Sequence, residues 1–124
     1  MDTCRWKIVR TDREIEMPAV DDALRAAGAR LVLLPDATPE EALAAEVADA
    51  DLLLMCYAPV TRRVIESARR LKAIVKYGVG IDAIDIDAAR EHAIPVVNVP
   101  DYAAQTVAEG AFALLLGLAK RFKP

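Results

Sequence analysis

The chain has 124 residues and a net charge of −3; 55% of it is hydrophobic and 28% charged, which excludes a disordered segment and gives one domain with enough apolar material for a core. Lysine and arginine are scattered and aromatics make up only 5%, so nothing is patterned for nucleic acid. Residues 1–20 carry acids throughout and lack the apolar core of a secretory signal, and the most apolar run, Ala111–Ala119, is far short of the ~20 residues of a membrane span. The expectation is a soluble, cytoplasmic protein.

Short apolar runs alternate with helical patterns along the chain. Lys7–Arg10 is a brief first strand, and Pro18–Ala27 a helix with Val20, Ala23, Leu24 and Ala27 on one face and Gly28 as its stop. Arg30–Leu34 is a second strand closed by Pro35. A capping box then opens the next helix, with Thr38 as cap, Pro39 at the first helical position and Glu41 three residues after Thr38; this helix runs to about Ala48. Asp51–Tyr57 is a continuous apolar strand, as expected where both faces of a sheet are covered. Thr61–Arg70 is the third helix, its arginines Arg62, Arg63, Arg69 and Arg70 reading as a solvated face, and Leu71–Tyr77 is the fourth strand. Asp85 caps a short helix through His92, and Pro95–Val99 is the fifth strand. The last helix covers roughly 103–122.

Strict alternation with crossovers of this length predicts an α/β fold, a flavodoxin-like doubly wound parallel sheet of five strands with helices on both faces. The last helix departs from an ordinary surface pattern. Val107, Ala111, Leu114, Leu115 and Leu118 form one apolar stripe, and Phe112, Leu116 and Ala119 form a second on the opposite side. A helix apolar all round is buried all round, and a five-stranded domain has little to cover the second face. The sequence therefore asks for a partner surface, either another domain or a second copy in a homodimer.

Ligands of open α/β sheets bind beyond the carboxyl ends of the strands. The loop after the fourth strand, Tyr77-Gly78-Val79-Gly80, carries two glycines that let backbone N–H groups approach an anion. Lys76, just before it, either supports such an anion as a point charge or is a solvated strand-end lysine. Gly78–Ala83 also satisfies the dinucleotide pattern G-x-G-x-x-G/A. That motif belongs to the first strand–helix turn of its unit, however, and here the helix is better capped by Asp85, away from the glycines. The Tyr57 hydroxyl, after the third strand, either meets a ligand or caps the strand edge. A phospho-receiver reading is disfavoured, because Asp12 stands nearly alone and the third strand ends Met55-Cys56-Tyr57. Cys4 and Cys56 read as unpaired thiols, and with His92 they are too few for a metal cage.

Three blocks, YGVGID at Tyr77–Asp82, NVP at Asn98–Pro100 and TVAE at Thr106–Glu109 opening a leucine-rich helix, resemble in letters, order and spacing the D-isomer-specific 2-hydroxyacid dehydrogenases. That family includes phosphoglycerate, glyoxylate/hydroxypyruvate and D-lactate dehydrogenases. The resemblance implies that the backbone at Val79 and Gly80 binds the carboxylate of a 2-keto or 2-hydroxy acid. It also implies that Lys76 stands where several members have arginine, and that the Thr106 hydroxyl lies near an NAD or NADP cofactor. Departures touch the substrate: Cys56-Tyr57 replaces an Arg-Ser pair, Asp101 a glycine and Ala103 an asparagine.

In the family the catalytic histidine, its carboxylate partner and the substrate-polarising arginine come from the nucleotide-binding domain or its edge, so no catalytic residue is expected here. His92 reads as a surface residue at a helix C-terminus. Residues 1–102 are then the substrate-binding domain and 103–124 an interdomain helix leading to a nucleotide-binding domain that is absent, leaving a piece of an oxidoreductase inactive alone. The alternative is a self-standing small-molecule-binding or oligomerisation module.

Overall fold

The computed structural model describes residues 4–122. Its five strands, β1 (Trp6–Arg10), β2 (Ala29–Leu33), β3 (Leu52–Met55), β4 (Ala73–Lys76) and β5 (Val96–Val97), form one sheet in the order β2-β1-β3-β4-β5. All neighbouring pairs are parallel, with Val9 opposite Leu53, Leu53 opposite Ile74 and Met55 opposite Lys76. The five-stranded doubly wound order is the flavodoxin-like one expected from the alternation. The helices are α1 (Pro18–Ala26), α2 (Glu40–Val47), α3 (Arg62–Ser67), α4 (Ile86–Glu91) and α5 (Ala104–Ala119).

The period of two along each strand divides the core. Val9, Leu53, Met55 and Ile74 point to one face, where Leu43 and Val47 of α2, Val64 and Ile65 of α3 and Ala88 and Ala89 of α4 cover them. Most of these side chains are fully buried, so truncating one such as Leu53 costs about 2–5 kcal/mol. Ile8 and Leu54 point to the other face, where Leu24 of α1 packs with Trp6, Leu31 and Ala29. That cover stops short: Leu52 and Val75 stay partly open and Val97 is 51% exposed. The expectation of helices over both faces holds for β1 and β2, and only one face is covered over β4 and β5.

Local signals fared unevenly. The Thr61 hydroxyl accepts from the Val64 N–H at 3.4 Å and the Asp85 carboxylate from the Ala88 N–H at 2.8 Å, so both helices begin on side-chain caps. The Thr38 capping box does not form: its hydroxyl donates to the Pro35 carbonyl at 2.6 Å, closing a turn instead, and Pro39 occupies the cap position. The third helix ends at Ser67, because Ala68 turns out of helical geometry with ψ 89°. Arg69 and Arg70 therefore lie beyond it. Arg70 reaches back to the buried Asp51, which also accepts the Lys7 N–H at 2.9 Å. Arg63, Arg69 and Arg70 are solvent-exposed as expected and Arg62 is partly so, and surface ion pairs also form, Arg62 with Glu91 and Arg63 with Glu41 among them.

Helix α5 forms where its periodicity places it, yet it has no buried residue. Leu114 and Leu118 on one stripe are 72% and 78% exposed, and Phe112 on the other is 64% exposed. The domain covers neither stripe, so the partner surface that the sequence asks for is larger than the one face expected.

Candidate functional site

The strand ends converge on an open cleft lined by Cys56, Tyr57, Lys76, Gly78, Val79, Gly80 and Tyr102, among others. Four of the five residues singled out in the sequence, Tyr57, Lys76, Val79 and Gly80, line this one cleft. Thr106 does not; it is exposed in the first turn of α5.

The glycine turn is held from β5. Asn98 donates its side-chain amide to the Val79 carbonyl at 2.7 Å, and the Val99 N–H donates to the Gly78 carbonyl at 3.0 Å. Two of the three sequence blocks are thus one structural unit, in which the NVP segment clamps the GVG turn. Val79 and Gly80 line the cleft and are exposed, and no acceptor among the described residues takes the N–H of either. Two adjacent exposed donors of this kind suit a carboxylate. A Cβ on Gly80 would lie 3.2 Å from the Asp82 carboxylate, so a side chain would crowd this rim. Helix α4 starts only at Ile86, five residues past Ile81, which removes the dinucleotide reading of the glycines.

Lys76 is not a solvated strand-end lysine. It is 7% exposed, its ammonium donates to the Cys56 carbonyl and lies 3.6 Å from the Cys56 sulfur, and the Tyr57 ring centroid is 5.3 Å away. Such a cation has donors to spare, since an ammonium carries three and one is spent on the carbonyl. Gly78 makes the arrangement fit: a Cβ there would be 2.9 Å from Lys76 Cε.

Asp12 is the residue that sequence reasoning passed over. One carboxylate oxygen, Oδ2, accepts from the Thr11 hydroxyl at 2.5 Å and from the backbone N–H groups of Cys56 at 2.8 Å, Tyr57 at 3.0 Å and Ala58 at 3.4 Å. Burial works against its charge, but these donors win and hold its carboxyl below the usual range. Asp12 adopts φ 54°, a left-handed conformation that aspartate tolerates better than most residues. Next to it the Tyr77 hydroxyl donates to the Thr11 carbonyl at 2.7 Å, and burial followed by the Asp12 charge pushes the phenol up to about 12. The signal in the sequence is an aspartate at the carboxyl end of the first strand, where ligands of open α/β sheets bind.

His92 sits at the end of α4 with Nδ1 3.0 Å from the Ala88 carbonyl, exposed and outside the cleft lining. Among the described residues there is no cluster of metal-ligating side chains, and no helix is long and apolar enough to cross a membrane. The two cysteines are free.

Residues 8–114 match the model of the D-isomer specific 2-hydroxyacid dehydrogenase catalytic domain. Among curated proteins, the chain is 45% identical over 82 residues to D-3-phosphoglycerate dehydrogenase of Methanocaldococcus jannaschii, covering 65% of this chain and 16% of that one. It is 40% identical over 83 residues to glyoxylate reductase of Pyrococcus furiosus, covering 66% and 25%. Among solved structures, NAD+-bound 3-phosphoglycerate dehydrogenase of Entamoeba histolytica superposes with a TM-score of 0.79 at 27% identity, over 96% of this chain and 41% of that one. The chain thus spans about a quarter or less of the length of these two curated relatives. With this match over most of its length, and with the sheet order and the clamped glycine turn, the chain belongs to the D-isomer specific 2-hydroxyacid dehydrogenase family.

Proposed function

We propose that these residues are the substrate-binding part of an NAD(P)-dependent dehydrogenase acting on the CH–OH group of a D-2-hydroxy acid, or in reverse on a 2-keto acid. The observation that carries this reading is the glycine turn, whose Val79 and Gly80 line the cleft while no acceptor among the described residues takes their N–H groups. They receive the substrate carboxylate there, Lys76 adds a positive charge behind it, and Tyr57 lies against the rest of the acid. Preorganised donors of this kind orient the acid so that C2 faces a hydride donor.

The hydride donor, NAD or NADP, is held by a nucleotide-binding domain that packs on α5, with Thr106 contributing a minor contact. The exposed apolar stripes of α5 support that surface. His92, engaged with its own helix and outside the cleft lining, does not serve as the proton donor, which on this reading comes with the nucleotide-binding domain. The chain alone is therefore inactive, residues 1–102 forming the binding domain and 103–124 the link. We place the protein in the cytoplasm, with a homodimer as the assembly of the whole enzyme.

The test is oxidation of NADH and NADPH with glyoxylate, pyruvate and larger 2-keto acids. The native polypeptide that carries these residues turns over at least one of them, and the 124-residue chain turns over none. Turnover by neither, with a native mass near 13.5 kDa, would replace this reading with a self-standing binding module.

A further inference from the structure

We infer that Asp12 is a positioning residue for this site: its carboxylate holds the loop after β3 in the shape that sets Tyr57 beside the acid and Lys76 behind the acid's carboxylate. This role rests on the reading of the glycine turn as the carboxylate site.

The loop is fixed at its two ends. Met55 closes β3 opposite Lys76 of β4, and Val60 bridges Ile84, its N–H donating to the Ala83 carbonyl at 2.8 Å. Between those points Cys56, Tyr57 and Ala58 lie in no strand or helix, and no backbone acceptor among the described residues takes their N–H groups. Asp12 Oδ2 takes all three, at 2.8, 3.0 and 3.4 Å, and the Thr11 hydroxyl at 2.5 Å as well. Consecutive N–H groups gathered on one charged oxygen fix the backbone of this stretch from outside it.

That stretch carries the cleft wall. Asp12 does not line the cleft, whereas Cys56, Tyr57 and Lys76 do. The Cys56 N–H is bound to Asp12 and the Cys56 carbonyl accepts from the Lys76 ammonium, so one residue passes the position of the carboxylate on to the lysine. Tyr57 is 74% exposed and has little packing of its own, so its ring, 5.3 Å from the Lys76 ammonium, follows the backbone that Asp12 holds. Burial opposes the Asp12 charge and the donors outweigh it, which keeps the carboxylate ionised at neutral pH. Asp12 also adopts φ 54°, and backbone outliers of this kind collect at ligand sites.

The test is steady-state kinetics of the native polypeptide that carries these residues, with glyoxylate, pyruvate and phenylpyruvate and with NADH or NADPH, each varied in turn. Asp12→Gly removes the carboxylate and adopts φ 54° without strain. It should raise KM for the 2-keto acid at least about tenfold, with kcat and the nucleotide KM within about twofold of the parent, the mark of lost substrate binding rather than of lost folded enzyme. Asp12→Asn offers a neutral oxygen to the same donors and should raise that KM about threefold. It decides the matter alone where Asp12→Gly does not fold. Asp51→Asn, a change to a buried carboxylate at the other end of β3, should leave the 2-keto-acid KM where it is. A KM that stays at the parent's value in the Asp12 variants, or that rises equally in Asp51→Asn, overturns the positioning role and leaves the carboxylate site standing. A parent that turns over none of the three acids overturns the carboxylate reading, and the positioning role falls with it.

Discussion

The Asp12 carboxylate, at the end of β1, accepts the Tyr57 N–H at 3.0 Å from the loop after β3, 45 residues away in sequence. The same oxygen takes the Cys56 and Ala58 N–H groups, so one buried charge sets the conformation of the loop that carries Tyr57 and the carbonyl that meets Lys76. Asp12→Ala leaves these donors without their acceptor and costs about 1–3 kcal/mol of stability. It also places alanine at φ 54°. Asp12→Asn keeps an acceptor and tolerates that conformation, and should recover most of the loss. Chemical denaturation of the two variants checks this; equal, negligible effects would show that the carboxylate does not organise the loop.

Acid stability follows from Asp12 and Asp51. For Asp51, burial opposes the charge, and the Lys7 N–H, Arg70 and Lys72 overcome it, so its carboxyl too is held low in the folded chain. A group with a depressed folded value stabilises above its unfolded value and loses that contribution as pH falls through the folded one. Stability should therefore be level from neutral pH to near 4 and fall below it. Asp51→Asn should fall less steeply there, which thermal unfolding between pH 2 and 6 measures. A slope identical to that of the parent would assign the acid loss to other groups.

Tyr77 gives the opposite sign. Its folded value is raised to about 12, by burial first and the Asp12 charge second, so the neutral phenol is stabilised. That contribution is complete below the unfolded value of about 10 and disappears as pH rises through the folded one. The parent should lose stability relative to Tyr77→Phe between roughly pH 10 and 12. Parallel curves for the two proteins across that window would contradict it.

Gly78 and Lys76 are coupled by space. In Gly78→Ala the new Cβ meets Lys76 Cε, whose ammonium is pinned to the Cys56 carbonyl, so the lysine must leave its place at about 1–3 kcal/mol. In a Lys76→Ala background nothing is left to meet, and the same change should be nearly free. A double-mutant cycle reads the difference directly. Additive effects would mean that the glycine serves the backbone alone.

The α5 surface makes a prediction about what does not change. Leu114→Glu and Leu118→Glu alter residues 72% and 78% exposed, so the stability of this chain should move by no more than about 0.5 kcal/mol. Binding of a hydrophobic dye and concentration-dependent association should both drop. A marked loss of stability would show that the helix packs on its own domain.

The strands and the starts of α3 and α4 were legible because they rest on local signals: apolar runs broken by turns, and Thr61 and Asp85 ahead of helical patterns. The cleft residues were legible because Tyr57, Lys76, Val79 and Gly80 all lie at the ends of β3 and β4. Long-range contacts were not. That Asn98 clamps Val79, that Asp12 holds the loop after β3 and that Arg70 leaves its helix for Asp51 depend on which strands are neighbours. Thr38 shows the limit of a local motif: its hydroxyl had two acceptable partners, and the turn to Pro35 won over the helix end. Lys76 is buried because the Cys56 carbonyl lies within its reach across the β3–β4 ladder, a pairing that no spacing in the sequence displays.

The central claim is that the Val79–Gly80 turn receives a carboxylate, and titration of the isotope-labelled chain with oxalate, a compact mimic of a 2-keto acid, tests it most directly. The account predicts saturable shifts of the Val79 and Gly80 amides, followed by those of Lys76 and Tyr57, and a loss of affinity in Lys76→Met. Shifts confined to the basic hollow around Arg5, Arg30 and Arg70 at the opposite end of the strands, or none at all, would contradict it.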